Sequence, residues 1–162
     1  MIHRKTYYLT HNWKDMIEIL IREAGKLDLQ AIQRLLSTYF LDMEGLKAED
    51  FVLAEIDEQI RGCAALIKSE FQGKKFLEIH SIAVHPNFRG KKIGTRLIKH
   101  LLTIIDESAC ELYVRTTAPH FFEKLNFVKI ESSDKLLLWE DCKNCDHFEK
   151  CAQYVMRYSY KG

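Results

Sequence analysis

"HSIAVHPNFRGKKIGTRLIKHLL", His80–Leu102, changes rhythm halfway. Its first part alternates as a half-buried strand does; its last part places Leu97, Ile98, Leu101, Leu102 and Ile105 along one helical stripe from Ile93 onward. Between them lies a basic turn punctuated by Gly90 and Gly94. The first N–H groups of a helix have no partner within it and carry the positive end of the peptide dipoles. A helix start reached through such a turn suits an anion, and glycines let the main chain approach it closely. Arg89, Lys91 and Lys92 add charge, so a phosphate or pyrophosphate is the expected guest. Two other phosphate motifs are excluded. A P-loop ends in Gly-Lys-Ser/Thr, whereas Gly94 is followed by Thr95, and a dinucleotide fingerprint needs three glycines at wider spacing.

Working outward, Ile17–Glu23 reads as a first strand, and a helix follows with Asp28 as N-cap and Leu29, Ile32, Leu35, Leu36, Tyr39 and Phe40 on one face. "FVLAEID" and "QIRGCAALIKSE" form a hairpin around "DEQ", and "FQGKK" turns into "FLEIHSIAV". After the central helix come a strand "CELYVRT", a short helix "PHFFEKL" and a strand starting at Asn126. The expected class is α/β (α+β), a single domain with a mixed central sheet and helices on both faces.

With 162 residues, 47% hydrophobic and 29% charged, the chain is long enough to bury one core. Lys+Arg 24 against Asp+Glu 23 leaves +1, so no wholesale attraction to nucleic acid or acidic lipid is expected. "MIHRKTYYLTHNWKDMIEIL" lacks a signal-peptide pattern, and no apolar run is long enough for a bilayer. Five cysteines, an odd number, fit reduced thiols in the cytoplasm. Cys142, Cys145, Cys151 and His147 raise the question of zinc. His147 follows Cys145 too closely for easy closure, and buried free cysteines with no metal are the favoured reading.

"SIAVHPNFRGKKIGTRLI" resembles the acetyl-coenzyme A motif of the GCN5-related N-acetyltransferase (GNAT) superfamily, whose loop reads Gln/Arg-x-x-Gly-x-Gly/Ala. Arg89 takes the first position and Gly94 the last; Lys92 replaces the middle glycine but keeps its N–H. The resemblance implies an acetyltransferase core over 17–131, an N-terminal extension 1–16 and a cysteine-containing segment 132–162 packing on that core. It implies acetyl-CoA as cosubstrate, its pyrophosphate on the main-chain N–H groups of Arg89, Gly90, Lys91, Lys92, Ile93, Gly94 and Thr95. Its pantetheine arm would pair with the strand end at Ile82, Ala83 and Val84, as an added strand would. Either Thr95 or Arg96 could also support a phosphate, a solvated side chain being the favoured reading of Arg96.

Acetyl transfer needs an unprotonated amine, a donor for the oxyanion and a departing thiolate. Alternation puts Phe76, Glu78, His80, Ile82 and Val84 on one face, so Glu78 and His80 are neighbours in an otherwise apolar strand. Burial would push Glu78 toward useful base strength. The family's strand glutamate, a base acting through water, corresponds to Glu78, whose other reading is a salt-bridged or partly exposed glutamate. His80 could relay a proton or hydrogen-bond within the sheet, the second being the favoured reading. Where relatives place a tyrosine in "FYEKLGF", this chain has Phe122, expected with Phe121 to wall the cofactor cleft. Solvent then protonates the sulfur or no acid is needed, with Tyr113 a substitute candidate whose favoured reading is packing. Asn126 replaces a glycine that needs left-handed backbone. "DCKNC", "EIHSIAV" and Cys63 resemble N-acetylglutamate-synthase-type amino-acid acetyltransferases, although Asp146 replaces a proline. The implied acceptor is a small-molecule amine such as that of glutamate, with Arg115 or Arg61 to meet a carboxylate. The alternatives are a protein N-terminus or lysine as acceptor, or a non-catalytic CoA-binding module. The extension could serve as an extra strand, a homodimer contact or a cover over the cleft.

Overall fold

The computed structural model describes residues 4–9, 16–106 and 110–160. Two compact units, Met1–Leu66 with Ser81–Ile105 and Ile67–His80 with Asp106–Gly162, share two long strands. The strands are β1 (Lys5–Leu9), β2 (Ile17–Glu23), β3 (Phe51–Ile56), β4 (Gln59–Phe71), β5 (Lys74–Val84), β6 (Leu112–Thr116), β7 (Phe127–Lys129) and β8 (Tyr154–Tyr158). Their order in the sheet is β1-β2-β3-β4-β5-β6-β8-β7. β5 and β6 run parallel while β1–β2, β2–β3, β3–β4, β6–β8 and β7–β8 are antiparallel, which makes the sheet mixed, as expected.

In the first unit, α1 (Leu29–Ser37) and α2 (Ile93–Ile104) cover opposite faces. Ile32, Leu35 and Leu36 of α1 cluster with Phe51, Leu53, Cys63, Ala65 and Ala83. One residue along, on the other face, Ala54 pairs with Gly62, where a Cβ would stand 2.8 Å from Ile93 Cγ2 and 3.1 Å from Leu97 Cδ1. A bare backbone at Gly62 is what lets α2 sit down on β4. The β3–β4 hairpin turns through Asp57 and Glu58, both left-handed at φ 50° and 60°, the twist a two-residue connection requires. His100 of α2, which helical spacing sets beside the apolar stripe, is fully buried.

Three details differ from expectation. Asp28 does not cap α1 with its side chain. Its carboxylate instead accepts from Gly25 N (2.9 Å) and pairs with Arg22 (2.8 Å), which also binds Glu55 (2.8 Å). The Arg22 guanidinium thereby holds the Asp28 carboxyl below its ordinary range. Phe40 leaves the helical face: its φ is 56° and it is 99% exposed, because α1 stops at Ser37. The last expected strand begins at Phe127, with Asn126 in the left-handed turn before it at φ 66°.

In the second unit, the two strand segments Ile67–Phe71 and Lys74–His80 join β6, β7 and β8. Phe76, Tyr113, Leu138, Trp139, Cys142 and Val155 form its core, with Phe76, Tyr113 and Trp139 packed edge to face. Phe122 of α3 (Pro119–Glu123) stacks edge-on with Phe121 and Phe127. The cysteine-containing segment supplies α4 (Lys135–Leu138), α5 (Glu140–Lys143) and β8, which slots between β6 and β7. Lys135 is fully buried, its ammonium donating to Gln153 O and lying 5.9 Å above the Phe148 ring. At the other end of the chain, Lys5–Leu9 form the extra strand; Met1–His3 and 10–15, the rest of the extension apart from Arg4 and Met16, lie outside the described residues.

We expect Gly62→Ala to cost about 1–3 kcal/mol, since neither the β-branched Ile93 nor Leu97 can withdraw freely. Urea unfolding of the two proteins measures it.

Candidate active site

The turn after β5 is built from main chain. His85 accepts on Nδ1 from Asn87 N (3.2 Å), starting a tight turn over Pro86–Phe88. Gly90 has φ 75°, and nothing lies within 4 Å of where its Cβ would be. Lys92 stands left-handed at φ 59°, ψ 24°, in the position where the family motif has a glycine. An L-residue there costs about 1–2 kcal/mol. The first bond of α2 runs from Arg96 N to Lys92 O (3.1 Å), so the N–H groups of Ile93, Gly94 and Thr95 precede the helical ladder. Left-handed residues at the mouth of a helix and N–H groups without helical partners fit a pyrophosphate.

Side chains around this turn brace it. The Tyr39 hydroxyl donates to Val84 O and accepts from Arg89 Nε (3.0 Å), whose guanidinium lies 4.9 Å above the Tyr39 ring. The Arg89 side chain is therefore folded onto Tyr39, just past the end of α1, which leaves its main chain as the part that an anion at the turn would meet. Arg61, an arginine considered for a substrate carboxylate, lies 4.9 Å above Phe88, and its carbonyl accepts from His85 N (2.7 Å). With Arg34 and His85 it lines a cleft of about 590 Å³ beside the turn. Arg96 is not simply solvated: it stacks on Tyr7 of β1 at 4.8 Å. Ile82 and Val84 are half-buried and Ala83 is buried.

In the second unit Glu78 is 4% exposed. Its carboxylate accepts from Ser69 Oγ (3.3 Å) and lies 3.5 Å from Arg115 Nη2. Arg115 is held further by Asp141 Oδ2 (2.7 Å) and Cys142 Sγ (3.3 Å), with Trp139 beneath it at 4.6 Å. It is engaged with protein carboxylates rather than lying on the surface. His80, expected beside Glu78, is exposed. Tyr113 donates to Glu111 Oε2 (2.7 Å) and accepts from Lys74 Nζ (3.0 Å); burial pushes its phenol above the ordinary range, away from the range an acid needs. Phe122, expected at the cofactor, is 2% exposed within its aromatic row. Sequence reasoning missed Tyr39 and Trp139, which sit in no motif, and gave no role to Asp141 within "DCKNC".

The cysteines divide by burial. Cys63 and Cys142 are buried, Cys145 and Cys151 exposed, so the buried-thiol reading holds for one member of the C-terminal cluster only. Among the described residues no group of three or more His, Cys, Asp or Glu side chains is placed to hold a metal ion. Nor is any helix among them long and apolar enough to cross a membrane.

The fold and the helix-start turn define a coenzyme A-binding acyltransferase. The Acetyltransferase (GNAT) family matches residues 13–127, and the chain belongs to it. It is an N-acetyltransferase with acetyl-CoA as cosubstrate. The uncharacterized N-acetyltransferase CT2212 of Chlorobaculum tepidum is 30% identical over 147 residues, 84% of this chain and 93% of that protein. N-acetylglutamate synthase from Neisseria gonorrhoeae, complexed with coenzyme A and N-acetyl-glutamate, matches 86% of this chain with TM-score 0.67 at 20% identity. This chain spans only 34% of that one. Arabidopsis thaliana Naa50, in complex with the bisubstrate analogue CoA-Ac-MVNAL, matches 88% of this chain and 99% of its own, with TM-score 0.62 at 19% identity. At these identities the two structures establish the fold.

Two outcomes are expected. Lys92→Val should destabilise by about 1–2 kcal/mol and weaken CoA binding, whereas Lys92→Gly should keep both; thermal melts with and without CoA decide. A maleimide should label Cys151 first, its thiol lowered by the Gln153 N–H, and Cys63, pushed up to about 12 by burial, only on unfolding. Peptide mapping over time reads the order.

Proposed function

We propose that this N-acetyltransferase acylates the amine of a small molecule, an amino acid such as glutamate, with Glu78 as general base. The observation that carries the reading is a carboxylate 4% exposed, with both neighbours at 3.3 Å or more, on the strand that leads into the cofactor turn. Acetyl-CoA supplies the activated acetyl thioester. Glu78, directly or through a water, takes the proton of the acceptor ammonium, and the freed nitrogen attacks the thioester carbonyl. The main-chain N–H groups of Arg89–Thr95 hold the pyrophosphate, and Ile82, Ala83 and Val84 pair with the pantetheine amides. His80, exposed, relays the proton outward. The tetrahedral adduct then breaks its C–S bond, and the nitrogen gives up its extra proton to solvent. The sulfur leaves as a thiolate that solvent protonates, since Tyr113 is engaged and Phe122 has no hydroxyl.

The amino-acid acceptor rests on the "DCKNC" segment and on Cys63 within "GCAAL". Arg115, engaged with Glu78 and Asp141, is not the residue that meets a substrate carboxylate. A peptide amine is the second reading, favoured by the near-full-length likeness to Naa50. The odd cysteine count supports a cytoplasmic setting.

Glu78→Gln should lower kcat by about 100-fold or more while CoA binding, read by calorimetry, stays. Thiol release across amino acids, polyamines and peptides identifies the acceptor. Amino acids turned over best would bear the proposal out; peptides turned over best would replace it.

A further inference from the structure

We infer that Arg115 is a positioning residue for Glu78, and that the C-terminal segment beyond the family match is what aims it. The inference rests on Glu78 acting as the base. The guanidinium is a fork with unequal legs. Nη1 is tied to Asp141 at 2.7 Å and to Cys142 Sγ at 3.3 Å, while Nη2 reaches Glu78 Oε1 at 3.5 Å. Trp139 closes the face below at 4.6 Å. Asp141, Cys142 and Trp139 all belong to α4–α5 and their junction, after the family match ends at residue 127. The same segment pairs β8 with β6, placing Val155 opposite Arg115 itself.

The arrangement has a chemical logic. A carboxylate 4% exposed is costly to bury unless a cation stands near it. A tight bidentate pair would satisfy that need but would also occupy the lone pairs a base must offer. Anchoring the arginine elsewhere resolves the conflict: Asp141 takes the short leg, and Glu78 keeps a long one. Glu78 is oriented, yet its carboxylate keeps room to accept a proton from the acceptor. The planar guanidinium, stacked on Trp139, holds this geometry where a lysine's single ammonium would not. The groups shown against the pair are Ser69 on β4 and Asp141, Cys142 and Trp139 on the C-terminal segment.

The test compares Arg115→Met, Arg115→Lys and Asp141→Asn with wild type and with Glu78→Gln. It uses the full chain, acetyl-CoA and the best acceptor from the panel. We expect Arg115→Met to lower kcat by about 100-fold with CoA binding within about twofold. Arg115→Lys should recover about tenfold of that, as should millimolar guanidinium added to the Met variant. Asp141, whose side chain is 69% exposed, is the change expected to disturb the fold least. Asp141→Asn should lower kcat by about three- to tenfold at unchanged acetyl-CoA KM. This variant keeps the inference testable should Arg115→Met fail to fold. If Glu78→Gln abolishes turnover while Arg115→Met or Asp141→Asn keeps wild-type kcat, the inference is overturned and the base reading stands. If Glu78→Gln itself keeps turnover, both fall together.

Discussion

A helix cannot pair its own first N–H groups, and everything characteristic of this protein follows from where α2 begins. Its ladder starts only at Arg96, so three main-chain donors face outward from a turn in which Gly90 and Lys92 are left-handed. That turn keeps its shape because α2 is pressed onto β4 at Gly62 and because Tyr39 ties Val84 and Arg89 to the end of α1. On the proposed reading, in which this turn holds the pyrophosphate, cofactor recognition depends on sheet packing several residues from any phosphate. A basic side chain in such a loop is not necessarily a basic side chain at the ligand: Arg89 spends its guanidinium on Tyr39.

The second unit is organised around a different constraint, the burial of a carboxylate beside an arginine that stacks on Trp139. Phe76, Tyr113 and Trp139 form a wall of edge-to-face contacts, and Glu78 lies on the strand that carries Phe76. Such a group needs a cation, and the cation needs an anchor of its own. Arg115 and Asp141 meet these demands in turn. The C-terminal segment therefore supplies the anchor of this ion pair as well as a strand of the sheet. Its buried Lys135, satisfied by Gln153 O and Phe148, shows the same habit of covering a charge with main chain and ring.

Much of the fold was legible because the signals involved are short-range. Alternation marked Ile17–Glu23 to the residue, and the apolar stripe placed the start of α2 at Ile93. Asn126 was readable as left-handed because its side chain tolerates that region where others do not. The misses were of two kinds. Phe40 and Asp28 looked right by spacing, but the helix stops at Ser37 and the carboxylate found a better partner in Arg22. β8, with its exposed Tyr154, carries little apolar alternation, since only Val155 and Met156 are buried.

What the amino-acid order determined by itself is the local part: the strand, the glycine-opened turn, the helix that begins with unpaired N–H groups, and the presence of Glu78 within an apolar strand. These follow from backbone periodicity and from hydrogen bonds that close within a few residues. Which partners the charged side chains take was decided only by the tertiary structure. Arg115 could have faced solvent or a substrate; it meets Glu78, Asp141 and Trp139 because β6, β5 and the C-terminal helices bring groups distant in the chain within a few ångströms. Coulombic and stacking contacts act through space, and no spacing rule along the chain encodes them.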